Sequence, residues 1–169
     1  MKKTILLFCA LLACLPLLLS CAATHEYRDD LEVRELYSLS ERSDGAYLVD
    51  NSGFLEDYFA LPDYVTEHAI LYRRETDSLD EIGFFHVTEG NAEKLKRMIE
   101  EEYLSAAYEK NRDFYDSYMP RETPKLANAE VRIFGNYVVY AVLSDTDKAE
   151  LFRSMKYALR TTKNTASNR

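Results

Sequence analysis

Two histidines, His68 in "TEHAILYRRET" and His86 in "EIGFFHVT", are the first residues whose type and spacing could do chemistry. Each lies in a run rich in β-branched and aromatic residues, and "DSLD" stands between the runs, so together they read as a hairpin. An odd number of residues in the connection would put both imidazoles on one face as near neighbours. With a carboxylate beside them they would suit zinc or copper. The same hairpin would then serve a small metal-dependent or hydrolytic enzyme. Nothing in the sequence marks a third ligand, and the simpler reading is two half-exposed strand histidines. No residue is assigned as a metal ligand, catalytic group or cofactor contact.

Glu100, Glu101 and Glu102 form a second cluster. Consecutive helical residues point in different directions, and Lys96 and Arg97 stand four residues before Glu100 and Glu101. The run therefore reads as a solvated, ion-paired face rather than a paired-carboxylate active site. No G-x-S-x-G, P-loop, C-x-x-C or H-E-x-x-H occurs, and the five glycines leave little material for a phosphate loop. The aromatic residues comprise thirteen tyrosines and eight phenylalanines, with no tryptophan. Tyr108, Tyr115 and Tyr118 gather toward the end of one segment, and Tyr58 and Tyr64 flank Pro62. Tyrosines of this kind suit a recognition surface, and equally fill the boundary between core and water.

The third kind of reactive residue is cysteine. Lys2 and Lys3, the apolar stretch Ile5 to Leu19 and the small Ser20 make the three parts of a secretory signal peptide. A permanent span needs roughly 20 apolar residues, more than this stretch holds. Leu18, Leu19, Ser20 and Cys21 also resemble the bacterial lipobox, which marks a cysteine for lipid attachment and cleavage. Leu11, Leu12, Ala13 and Cys14 compete, but cleavage there would leave "LPLLLS" exposed, whereas cleavage at Cys21 leaves a polar tether.

Residues 1–20 are thus expected to be a lipoprotein signal peptide. Of the three cysteines, Cys9, Cys14 and Cys21, only Cys21 would remain, so no disulfide is expected. The formal net charge of −8 becomes −10 once Lys2 and Lys3 are removed, because the leader holds no acid. Such a balance argues against nucleic acid and against electrostatic adhesion to anionic lipid. The partner implied is the membrane, through a lipid on Cys21, with another envelope protein as a further candidate.

Residues 21–44 read as a polar tether entering a marginal helix through Leu31, Leu36 and Leu39. A domain is expected over 45–160, with 161–169 as a disordered tail. "DNSG" offers caps for a short helix, Phe54 to Ala60, which Pro62 stops. After the histidine hairpin, Leu95, Met98, Ile99, Tyr103, Ala106, Ala107, Phe114 and Tyr118 recur at helical steps between Asn91 and Pro120. A helix of that extent would be roughly 40 Å long. "AEVRIFGNYVVYAVL" reads as a second hairpin turning at Gly135-Asn136. Its strand Tyr137 to Leu143 is apolar without a break and suits burial on both faces. "SDTDKAELFRSMKYAL" is an amphipathic helix with a capping cluster at its start.

The order strand-strand-helix thus occurs twice, with "VTEGNAEKLKR" against "LSDTDKAELFR" aligning Leu95 with Leu151 and Arg97 with Arg153. The expected fold is α+β: a four-stranded antiparallel sheet from two ββα units, with both helices packed mainly on one face.

"FLEDYFALPDYV", "EIGFF", "SYMPRE" and "NAEVRIFGNYVVYAVLSDTDKAE" occur in that order between Tyr47 and Leu159. In this the chain resembles small lipoproteins, mainly of Gram-positive bacteria, that carry the domain of unknown function DUF4358. The resemblance implies a lipid-anchored location at the cell membrane on its extracytoplasmic face, and brings no activity with it. The functional expectation is a non-catalytic binding or interaction module at the cell envelope. The alternative is the small enzyme built on His68 and His86.

Overall fold

A computed structural model of the chain describes residues 27–38, 47–50, 54–75 and 77–160. The expected signal peptide, Cys21 and the tail lie outside the described residues. Among those described, no helix is long and apolar enough to cross a membrane.

Five strands form one antiparallel sheet: β1 (Tyr47–Asp50), β2 (Val65–Arg73), β3 (Glu81–Val87), β4 (Glu130–Phe134) and β5 (Tyr137–Val142). Their order is β1-β2-β3-β5-β4, so β3 is central. The α+β class holds, but the expected four strands are five. The added strand is "YLVD", too short to announce itself by alternation, and it pairs Tyr47 with Arg73 through Asp50 with Ile70. Both expected hairpins form, β2 against β3 and β4 against β5. Gly135 sits in the second turn at φ 64°, a left-handed conformation that glycine adopts without strain.

The helices cover both faces of the sheet, which corrects the expectation of one covered face. Ile70, Phe85, Val138 and Tyr140 point to one side, where Leu95, Ile99 and Leu104 meet them. Leu71, Phe84, Val139 and Ala141 point to the other, under Leu151, Phe152 and Met155. Every residue of β5 is buried, and a strand apolar on both faces requires two covers. Leu95 and Leu151 therefore lie on opposite sides of the sheet, although their local sequences align.

The first cover is one long helical rod. It comprises α2 (Ala92–Met98), a π-helical turn (Ile99–Leu104) and α3 (Ser105–Tyr118). Ser105 marks the wider turn, donating from its backbone N–H and, at 2.8 Å, from its hydroxyl to the Glu100 carbonyl five residues back. The extra residue in the turn rotates the later part of the rod by about 100°. Tyr108 and Tyr115 therefore pack on the core, whereas Phe114 and Tyr118, expected on the buried face, are 55% and 76% exposed. Asn91 does not cap α2 through its side chain; its amide bonds Thr88 instead. The short α4 (Thr123–Ala127) comes next in the chain.

The second cover is α5 (Asp145–Leu159), capped by Ser144, whose hydroxyl accepts from the Asp147 N–H at 3.2 Å. Beside it lies α1 (Val33–Ser38), with Val33 and Leu36 buried. The segment from Tyr27, read from sequence as tether, is thus packed on the sheet. Arg28 N–H bonds the Leu159 carbonyl at 2.9 Å. The Tyr137 hydroxyl donates to the Leu31 carbonyl at 2.7 Å and accepts from the Leu31 N–H at 3.0 Å.

Candidate functional site

The strands and the rod together bury a carboxylate. Glu81 opens β3, paired with Tyr72 of β2 on one side and Val142 of β5 on the other. Period-two alternation turns it to the face of Gly83 and Phe85, under the long rod. It is only 8% exposed. Its Oε1 accepts from the Tyr103 hydroxyl at 2.6 Å and from the Tyr140 hydroxyl.

Each partner is placed by a distinct local device. Tyr103 comes from the π turn, whose wider spacing lets both Tyr103 and Leu104 face the sheet. Tyr140 stands directly opposite Gly83. A Cβ at position 83 would fall 2.0 Å from a Tyr140 ring carbon. The absent side chain leaves the space across β3 that the Tyr140 ring occupies to reach Glu81. Tyr103 and Tyr140 meet edge to face at 5.7 Å, and Phe85 stacks on Tyr140 at 6.0 Å.

A cavity of about 190 Å³ adjoins the carboxylate, with Tyr72, Glu81, Tyr103, Ala107 and Tyr115 in its wall. Burial pushes the Glu81 carboxyl up to about 6, against the two phenol hydrogen bonds that favour its charged form. Burial, followed by the charge of Glu81, drives the Tyr140 hydroxyl well above its ordinary range. Tyr103 moves the same way for the same two reasons. The phenols therefore remain donors, and the carboxyl is the group that titrates.

The neighbouring charges are paired among themselves. Asp80 accepts from Arg73 Nε at 2.9 Å and from Lys125 Nζ at 2.6 Å. Lys125 also reaches Glu122 at 2.7 Å, and Glu122 accepts from the Leu79 N–H at 3.1 Å. Together with Glu75, 3.6 Å from Arg73, these two cations and three carboxylates close a network at the mouth of β3. Glu81 takes no part in it, and no cation among the described residues pairs with Glu81.

The histidine hairpin does not bring its two imidazoles together, and both histidines are half-buried strand residues. His68 pairs across with Phe85 and His86 with Glu67, so the imidazoles face opposite sides of the sheet. Both pairs belong to one unbroken register that runs from Glu67–His86 to Tyr72–Glu81. Among the described residues no group of three His, Cys, Asp or Glu could hold a metal ion. His68 stacks on Phe85 at 6.2 Å. His86 lies between the Thr66 hydroxyl, 2.7 Å from Nδ1, and Asp29, 2.7 Å from Nε2. Asp29 also accepts from Asn136, so this group ties the N-terminal segment to the sheet. Lys96 and Glu100 are 3.7 Å apart on the rod, and Glu101 and Glu102 are exposed, as a solvated face requires.

Sequence reasoning missed Glu81, although two signals point at it. A glycine inside "EIGFF" marks a close approach in a strand interior. A tyrosine inside the unbroken apolar run "YVVYAVL" needs a buried partner for its hydroxyl. No family model, curated protein or solved structure matches the chain.

Proposed function

We propose that this chain is a lipid-anchored extracytoplasmic protein, held to the cell membrane through Cys21, whose folded body is a non-catalytic binding module. The cavity beside Glu81 is its ligand site. The observation that carries this reading is the buried carboxylate, hydrogen-bonded by two phenols yet lacking a cation, in the wall of a cavity. A fold gains no stability from such a group that an apolar side chain would not supply more cheaply. The lipobox-like "LLSC", the signal-peptide pattern and the resemblance to DUF4358 lipoproteins support the location. The exposed ring pair Phe114 and Tyr118, 4.9 Å apart, offers a contact for an envelope protein.

The test has two arms. Labelled palmitate should enter the wild-type protein and fail to enter Cys21→Ser; label lost in Cys14→Ser alone would move the anchor. Ala107→Met, which fills the cavity, should remove a small molecule retained by the protein in native mass spectrometry. An identical mass spectrum for the two proteins would count against the cavity.

A second reading has its own observation. Thr66, His86 and Asp29 place a hydroxyl, an imidazole and a carboxylate in series, the order that a small hydrolase uses to activate a nucleophile. Turnover of an activated ester that vanishes in both His86→Ala and Thr66→Val would favour it.

A further inference from the structure

The chemical class of the ligand is set by the groups the cavity lacks, and the inference rests on the cavity being a binding site. Glu81 is more than nine-tenths buried, and both phenol hydrogen bonds fall on Oε1. Among the described residues no donor reaches Oε2 and no cation pairs with the carboxylate. Arg73 lines the cavity but is held by Asp80, and Lys125 is held by Asp80 and Glu122. The wall also holds Arg73 and Asp80, which neutralise each other, and presents aromatic faces from Tyr72, Tyr103 and Tyr115. A buried carboxylate demands a counter-charge, and ring faces attract cations that are weakly hydrated.

We infer that the cavity takes a small organic ammonium cation, its charge against Glu81 and its alkyl groups against Tyr72, Tyr103 and Tyr115. A metal ion fits poorly. One carboxylate does not supply the several oxygen ligands that a hard cation requires, and Asp80 is already engaged. Size limits the ligand further. At about 190 Å³ the cavity lies below the roughly 300–1,000 Å³ of sites for drug-sized molecules, so an amine with a few carbons suits it. The formal net charge of −8 favours approach of a cation.

Titration calorimetry on the full chain in neutral detergent micelles tests this with four probes of similar size. Tetramethylammonium and propylammonium should bind, and tert-butanol and butyrate should not. Glu81→Gln keeps the shape and the acceptor for both phenols, and should weaken ammonium binding at least about tenfold. Ammonium ions that bind no better than tert-butanol, or equally well to Glu81→Gln, would overturn the inference. Should that variant fail to fold, the charge series on the wild type decides alone. Binding of tert-butanol or butyrate but not ammonium, abolished by Ala107→Met, would overturn the cation class and keep the cavity as a site. Silence from all four probes would overturn both readings.

Discussion

At the scale of single residues, the energetic anomaly is Glu81. Its folded pKa of about 6 lies above the 4.5 of a free carboxyl, because burial penalises the charge more than two phenols reward it. Between those values the folded chain binds more protons than the unfolded one, so stability falls as pH rises. The contribution of the neutral form is complete below about pH 4.5 and is lost as pH passes about 6, a change of about 2 kcal/mol. Glu81→Gln cannot ionise. Urea unfolding from about pH 4 to pH 7 should therefore show Glu81→Gln gaining about 2 kcal/mol relative to the wild type. Parallel curves would mean that Glu81 does not titrate in this window. The signals for the site were local, a strand glycine and a tyrosine in an apolar run. That both converge on one carboxylate was not legible, since Tyr103 and Tyr140 come from elements far apart in sequence.

At the scale of elements, the docking of the N-terminal segment is the contact least visible in the sequence. Tyr137 holds both backbone groups of Leu31 through one hydroxyl, and α1 then sets Val33 and Leu36 against the sheet. Each such bond contributes about 1 kcal/mol net. Tyr137→Phe should therefore cost about 1–2 kcal/mol in chemical unfolding. Amide exchange at Val33 and Leu36 should accelerate more than in β3. Uniform acceleration would show that α1 opens only with the whole sheet. The rod is likewise only partly visible in the sequence. Its apolar face was legible through Ile99, Tyr103 and Ala107, which are buried, and failed further along at Phe114 and Tyr118. One inserted residue exchanges Phe114 for Tyr115 at the core, and hydrophobic spacing alone cannot distinguish two adjacent aromatics.

At the scale of the whole molecule, stability rests on two cores separated by one sheet. Cys9, Cys14 and Cys21 all lie outside the described residues, and the described residues of both cores include no cysteine. A chain lacking residues 1–21 should unfold cooperatively, with the same midpoint in reducing and oxidising buffer. A midpoint well below that of the chain retaining residues 1–21 would show that those residues, cysteines included, help to hold the fold.

The sequence alone determined the two hairpins, the turn at Gly135, the start of α5 at Ser144 and the regular stretch of the rod. Each depends on residues within a few positions of one another, where alternation, capping and turn geometry act. It also carried the whole argument for Cys21, since a leader is read from the order of charge, apolar length and small residue. Only the tertiary structure decided the fifth strand, the division of helices between two faces and the separation of His68 from His86. These depend on which long-range pairings bury the most apolar surface, and a single register shift reverses the side to which a strand residue points. The same long-range packing leaves Glu81 enclosed without a cation, which no local pattern in "DEIGFFHV" could specify.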